Sequence, residues 1–365
     1  MYQQLLTRHR RALHMIPELK FDLPKTRAYV VEALAGLNCE ISIAAENGVL
    51  AYFDGGKANT VAFRTDMDAL PVAEQTCHDY QSTHPGCMHA CGHDGHMAIM
   101  LAFAHWVNES IARLDRNVLL IFQPAEESGG GGEVITDTGV LTARNVDRIF
   151  ALHVEPSMPV GTIASRPGPF FARASEIHLD VEGAAGHAAT PGAGKDALAA
   201  AVDFIYEAYK AEESIPHAFP RRLKFCMLNA GTTTNIVAGE SHVKGTLRTY
   251  SEEDFDTLFG EMHAIARRAE EKYGVKTALN IHSGYPALIN DAILYEKACR
   301  IANIKYVPEP YYLGEDFSYY TRVTPAVLFQ IGLGTGIPLH SSNFDFDETA
   351  LMTGLELYMK LAEME

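Results

Sequence analysis

The sequence predicts an α/β protein in which a mixed, mostly parallel sheet flanked by helices is interrupted by an inserted β-α-β-β-α-β domain. Three observations carry this expectation. Continuous apolar runs, suited to strands buried on both faces, alternate with segments of helical periodicity. Several of those runs end on acids or histidines, and the pattern changes character between about 172 and 283.

Residues 3–16 and 25–35 carry apolar positions at helical spacing, the second segment ending at Gly36 as a helix terminator should. Short apolar runs follow at 41–53 and at Thr60-Val61-Ala62-Phe63. The latter leads into Arg64-Thr65-Asp66-Met67-Asp68, which sets two carboxylates at a strand end. The stretch Met88-His89-Ala90-Cys91-Gly92-His93-Asp94-Gly95-His96 opens a helix expected to be capped by Asp94 and to run to about Asn108. Met97, Met100, Leu101, Ala104 and Val107 form its core stripe. Cys91 then sits at a helix N-terminus, where the dipole favours a thiolate.

Val118 to Phe122 runs into Gln123-Pro124-Ala125-Glu126-Glu127, and Ile149 to Leu152 delivers His153. Ala326 to Ile331 is followed by a glycine-rich loop and His340. Ligand sites in such sheets lie beyond the carboxyl ends of the strands, so donors far apart in sequence are expected at one edge. A thiol and two imidazoles within the six residues Cys91 to His96, beside Gly92 and Gly95, read as a metal site built from soft and borderline donors.

In the insertion, Ser175–Val181 alternates, Asp196–Lys210 is helical, Arg222–Asn229 and Ser241–Thr249 read as strands, Glu252–Tyr273 as a helix and Val275–His282 as a last strand. That order is the ferredoxin-like split sandwich with helices on one face. Pro167 to Pro169 and Gly284 to Pro286 mark the crossings, giving a larger domain of residues 1–171 and 284–365 and an insertion of 172–283. Gly129–Gly132 reads as a flexible run without the spacing of a nucleotide-binding fingerprint.

A chain of 365 residues with 47% hydrophobic and 21% charged residues fits two globular domains. The net charge of −16 attracts neither nucleic acid nor an anionic membrane surface. No run of about 18 apolar residues and no basic, apolar leader is present, so the expected location is the cytoplasm. Six scattered cysteines are expected to be reduced thiols.

The segments Arg64 to Pro71, Met88 to His96, Phe122 to Glu127, Gly186-His187-Ala188 and Gly314-Glu315-Asp316-Phe317 together resemble the M20 peptidase family. They look like its amidohydrolase branch of N-acyl-L-amino acid amidohydrolases, hippurate hydrolases, auxin-conjugate hydrolases and N-acetyldiaminopimelate deacetylases. The resemblance runs from about residue 5 to 360. It implies a zinc-peptidase-like catalytic domain holding two divalent ions, zinc or manganese, and an inserted domain making contacts in a homodimer. Carried over position by position, the implied metal ligands are Cys91, His93, Glu127, His153 and His340, with Glu126 as general base. Where the wider family has His-x-Asp this chain has Asp66-Met67-Asp68, and Cys91 is read as replacing the missing imidazole. Asp68 is placed with Glu126 in the catalytic set, acting like Asp66 by orienting a metal-bound imidazole.

The resemblance also assigns His187, Asn235 and Arg248 to substrate binding, while Glu315 and Asp316 either line the pocket or close a turn. The implied reaction is hydrolysis of the amide of a small N-acyl amino acid. An ion lowers the pKa of water, and Glu126 passes its proton to the departing amine. Sequence around His153, Pro159 to Ala164 and Phe171 to Glu176 makes N-acetyldiaminopimelate, from lysine and diaminopimelate biosynthesis, the lead substrate. A hippurate-type or broad acylase, a dipeptidase and an inactive binding subunit stand as alternatives.

Overall fold

The computed structural model describes all residues from Met1 to Glu365, which divide into two compact units. The larger comprises Met1–Phe170, Ile289–Glu309 and Asp316–Glu365; the smaller comprises Phe171–Leu288 and Pro310–Glu315. The return to the larger unit thus comes at Ile289 rather than 284, and a second excursion at 310–315 was not foreseen. Its cause is local: the Ala172 amide donates to the carbonyls of Tyr311 and Leu313, and the Tyr250 hydroxyl donates to the Pro310 carbonyl at 3.2 Å. Backbone pairing of this kind leaves no periodic signal.

The larger unit is built on an eight-stranded sheet. Its spatial order is Glu40–Ala44, Gly48–Phe53, Asn117–Gln123, Thr60–Asp66, Val146–Glu155, Ala326–Gly332, Ile163–Ser165 and Ile304–Tyr306. The four central strands, from Asn117–Gln123 to Ala326–Gly332, are mutually parallel, and antiparallel neighbours flank them. Every residue of Thr60–Asp66, Asn117–Gln123 and Ala326–Gly332 is buried, as unbroken apolar runs require of strands covered on both faces. Phe63 anchors one layer, its ring 4.7 Å from that of Phe103 and 4.9 Å from that of Tyr358. Truncating such a ring to alanine costs about 3–5 kcal/mol. Because the central strands point the same way, Asp66, the turn after Gln123 and His153 all reach one edge.

The helix His93–Ser110 is buried almost all round, with Met97 and Met100 fully enclosed. Gly92, not Asp94, is its N-cap residue, at φ 82, where a Cβ would lie 2.6 Å from Val154 Cγ2. Asp94 stands in the first turn, where its Oδ1 accepts the Gly95 amide at 2.8 Å, while its Oδ2 accepts from His14 Nδ1 at 2.7 Å and lies 3.4 Å from Arg10 Nε. The end of the glycine run enters a helix. Gly131 opens the helix Gly131–Asp137, and a Cβ there would fall 1.7 Å from the Pro124 carbonyl oxygen. No helix is long and apolar enough to cross a membrane, and all six cysteines are free.

The smaller unit carries a four-stranded antiparallel sheet in the order Arg222–Ala230, Glu240–Thr249, Arg173–Glu182, Lys276–Tyr285. The helices Ala197–Ser214 and Glu252–Tyr273 cover one face. Ser175, Ile177, Leu179 and Val181 turn inward on every second position, the period of a half-buried strand. Both helices start on side-chain caps: Asp196 Oδ1 accepts from the Ala199 amide and Ser251 Oγ from the Asp254 amide.

Candidate metal centre

His93 is the first residue of its helix, and its Nδ1 donates to the Asp68 main-chain carbonyl at 2.7 Å. A carbonyl can only accept, so the proton sits on Nδ1 and Nε2 keeps a lone pair. That Nε2 is buried and has no hydrogen-bond partner. His153 follows the same logic: Nδ1 donates to the Val154 carbonyl at 2.8 Å, leaving Nε2 at 3.5 Å from Cys91 Sγ. Burial is the main reason both imidazoles are neutral, lowering His93 and taking His153 down to about 3.

Glu126 and Glu127 follow Ala125, which adopts a left-handed φ of 57. The Asp68 carboxylate holds the turn by accepting both amides, from Glu126 at 2.9 Å and from Glu127 at 3.1 Å. Glu126 Oε2 and Glu127 Oε1 each lie 3.9 Å from His93 Nε2. Glu127 Oε1 is also 3.4 Å from Nε2 of His340, whose amide donates to the Ala90 carbonyl at 2.8 Å, one residue before Cys91. His340 is the most open member, its side chain 54% exposed.

The structure therefore brings Cys91, His93, Glu126, Glu127, His153 and His340 together. Three overlapping sets, Cys91/His93/His153, Cys91/Glu127/His340 and His93/Glu126/Glu127, each have their donor atoms within 4.8 Å of one another. One sulfur, three imidazole nitrogens and carboxylate oxygens, with His93 Nε2 and Glu127 Oε1 buried and lacking hydrogen-bond partners, fit divalent cations of the zinc or manganese type.

Asp66 underlies this cluster. It accepts from His96 Nδ1 at 2.7 Å and from Arg64 Nη1 at 2.9 Å. Burial would raise its pKa, but His93, His96 and Arg64 hold it well below the usual carboxylate range. His96 has nothing left for an ion, because its Nε2 accepts the Val154 amide at 2.9 Å. Asp68 moves the other way: burial, reinforced by Glu127, pushes it well up against the pull of the two amides.

The expected dipole-stabilised thiolate is not what the site produces. Burial first, then the charges of Glu127 and Glu126, raise Cys91 well above the ordinary thiol value. A cation bound beside this sulfur would act in the opposite direction and favour the thiolate.

One buried grouping has no counterpart in the sequence pattern, although Arg64 and Asp316 each lie in a motif. Arg64, Gln123 and Asp316 form one hydrogen-bonded group behind the glutamates. The one available signal was Arg64 itself, a cation at the end of an apolar strand that has to find counter-charges. Of the two readings of Asp316 the turn holds, its carbonyl accepting the Tyr319 amide at 3.1 Å, while its carboxylate lines no open pocket, being fully buried on Arg64.

The substrate residues lie in the smaller unit and do not form one group. His187 pairs with Ile236, and the Ala188 amide donates to the Asn235 carbonyl at 3.0 Å. That two-stranded pairing lies beyond the end of the sheet where Glu182 pairs with Glu240, the Gly183 amide donating to the Gly239 carbonyl at 2.8 Å on the way. Arg248 pairs with Ala174, eight residues along the same ladder, which is roughly 26 Å of strand. Burial lowers the Arg248 pKa and Glu176 opposes the fall.

Sulfur, nitrogen and oxygen donors ringed about two glutamates at the carboxyl edge of an α/β sheet define a metal-binding hydrolase. Residues 62–364 match Peptidase family M20/M25/M40, and the chain belongs to that family. It is 34% identical over 356 residues to an N-acetyldiaminopimelate deacetylase of Shouchella clausii, covering 95% of this chain and 94% of the relative. A protein of the same name from Anoxybacillus flavithermus is 35% identical over 360 residues, with 95% and 94% covered. Among solved structures, a putative aminohydrolase from methicillin-resistant Staphylococcus aureus superposes with a TM-score of 0.93 at 28% identity, covering 100% of this chain and 97% of that one. A Bacillus subtilis protein described as a dinuclear metal-binding peptidase of the M20 family gives 0.86 at 30% identity, covering 99% and 97%.

Proposed function

We propose that this hydrolase cleaves the amide bond of N-acyl amino acids, with N-acetyldiaminopimelate as its lead substrate, and works as a cytoplasmic homodimer. The observation that carries the reading is the placement of Glu126 and Glu127, both 3.9 Å from the unpaired His93 Nε2 and both gripped by Asp68 through their amides. The names of the relatives supply the substrate class.

Cys91, His93, Glu127, His153 and His340 would hold two divalent ions, zinc or manganese. When bound, the ions supply Lewis acidity, bringing water towards ionisation near neutral pH and drawing charge from an acyl oxygen. The protein supplies the rest. Glu126 takes a proton from water on its carboxylate and returns it to the departing nitrogen. Asp68 keeps Glu126 and Glu127 in register and, through its own carbonyl, holds the His93 ring so that Nε2 faces inward. Asp66 fixes His96, which in turn fixes the Val154 amide beside His153.

His187, Asn235 and Arg248 are proposed to contact substrate. His187 with Asn235 belongs to a separate two-stranded pairing beyond one end of the four-stranded sheet and Arg248 lies near the other end, a separation that no single small amino acid spans. In a homodimer each site would therefore draw Arg248 from one chain and His187 with Asn235 from the other.

The deciding experiment assays N-acetyldiaminopimelate, hippurate and a simple dipeptide side by side with added Mn²⁺ or Zn²⁺. The expected order places the acetylated substrate first. Faster cleavage of the dipeptide would make this a peptidase and remove the deacylase reading.

A further inference from the structure

The carboxylate of Asp316 is fully buried and meets four donor contacts. Oδ1 accepts from Arg64 Nη2 at 2.6 Å and from Gln123 Nε2 at 2.9 Å. Oδ2 accepts from the same Gln123 nitrogen at 2.8 Å and from the Gly132 amide at 2.8 Å. With both oxygens so engaged, Asp316 is not disposed to ligate an ion.

Gln123 and Gly132 are the two ends of the segment that carries Glu126 and Glu127. Between them the chain turns through three positive-φ residues, Ala125 at 57, Gly129 at 132 and Gly130 at 69. The Gly131 amide closes the turn on the Ala125 carbonyl at 3.2 Å. Neither glycine at the exit can carry a side chain: a Cβ on Gly131 would meet the Pro124 carbonyl oxygen at 1.7 Å, and one on Gly132 would meet the Asp316 carbonyl oxygen at 2.5 Å. A turn this tight, containing left-handed backbone, needs its ends fixed from outside. Asp316 does this from almost two hundred residues away in sequence, and Asp68 holds the middle.

Arg64 makes the arrangement electrostatically tenable. Its guanidinium is fully buried between Asp316 and Asp66, with Nε donating to the Gln123 Oε1 at 3.0 Å. One cation thus serves the carboxylate under the imidazoles and the carboxylate that clamps the glutamate turn.

We infer that Asp316 is a positioning residue for hydrolysis, setting Glu126 and Glu127 by clamping Gln123 and Gly132 together. The inference rests on the reading above, in which Glu127 holds an ion and Glu126 moves the proton. It differs from a purely structural role for the buried pair in what it requires of the metal centre.

The test compares wild type with Asp316→Asn and Gln123→Met, each as the full chain. In Asp316→Asn an amide NH₂ faces donors it cannot accept from. In Gln123→Met the Arg64–Asp316 ion pair is kept while one arm of the clamp and the acceptor of Arg64 Nε are lost, and thermal unfolding checks that the variant is folded. Leu355→Ala, which truncates a fully buried apolar side chain that is neither a donor nor part of the clamp, controls for loosened packing. The readouts are the Co²⁺ absorption spectrum and Co²⁺ affinity of the metal-stripped proteins, together with kcat and KM on N-acetyl amino acids.

Both clamp variants are expected to lose about 10–100-fold in kcat and a comparable factor in affinity for the weaker-bound Co²⁺, with an altered spectrum and KM within about threefold of wild type. Leu355→Ala should keep the wild-type spectrum. If Asp316→Asn does not fold, Gln123→Met decides alone. Wild-type spectra, affinity and kcat in the clamp variants would overturn the inference and leave Asp316 serving only the fold. Wild type that takes up no Co²⁺ and hydrolyses no N-acyl amino acid would overturn the functional reading first and this inference with it, before any variant is compared.

Discussion

Asp68 and Glu126 are joined through the main chain: Asp68 Oδ1 accepts the Glu126 amide at 2.9 Å, and its second oxygen accepts the neighbouring Glu127 amide at 3.1 Å. The pair of glutamates is thus aimed by a side chain that belongs to a different strand end. Asp68→Asn would keep the size of the group and turn one acceptor into a donor facing an N–H. The expected result is a fall of about 10–100-fold in kcat, with KM within about threefold because substrate contacts are untouched. Steady-state kinetics on an N-acetyl amino acid provide the check. An unchanged kcat would mean that the turn holds its shape without Asp68.

Glu126 and Cys91 should fail in opposite ways. Removing the proton acceptor in Glu126→Gln should cost about 10²–10⁴ in turnover while metal content after dialysis stays at the wild-type level. Cys91 belongs to two of the donor sets, so Cys91→Ala should lower metal occupancy and make the remaining metal easier for a chelator to remove. Metal analysis beside activity separates the two. Normal turnover by Glu126→Gln would show that the base is misassigned.

Much of this centre is legible without coordinates because parallel strands deliver their ends to one edge. Asp66, Glu126 and His153 follow or end apolar runs, and Cys91 with His93 enters a helix. What stays illegible is pairing chosen by tertiary packing. Arg64 and Asp316 stand 252 residues apart, and nothing in the spacing of either announces the other. Gly129–Gly132 has the composition of a flexible run, yet Gly131 and Gly132 are glycines because a Cβ would strike backbone oxygen. The same limit applies to His96: only the structure shows both of its nitrogens committed, one to Asp66 and one to the Val154 amide.

The separation of His187 from Arg248 leads to a complementation experiment. If each site takes Arg248 from one chain and His187 from its partner, His187→Ala and Arg248→Ala homodimers should both be inactive. Unfolded and refolded together, half of the dimers would be mixed and each mixed dimer would carry one complete site, restoring about a quarter of wild-type sites. Mixing that restores nothing would place both residues in the same site from one chain, or remove one of them from substrate binding.

The helix Tyr2–His14 is tied to the helix His93–Ser110 by a buried ionic group that makes stability depend on pH from both sides. His14 Nδ1 lies 2.7 Å from Asp94 and Nε2 lies 3.2 Å from Glu74. Burial alone would lower its pKa, but the hydrogen bonds to Asp94 and Glu74 outweigh burial and raise it to about 9. A pKa raised on folding means that the proton stabilises the native state. That stability is complete below the unfolded value of 6.5 and is lost as pH rises through about 9, on the order of 3 kcal/mol. Glu74 shifts the opposite way. Burial opposes the shift, but His14, Thr76 and the Ser82 amide bring it down to about 2. Its contribution is complete above 4.5 and fades as pH falls through about 2. Wild type should therefore show a thermal midpoint that drops between pH 6.5 and 9. His14→Gln should start lower at pH 6 and change little over that interval. Parallel curves for the two proteins would mean that His14 carries no proton linkage to folding.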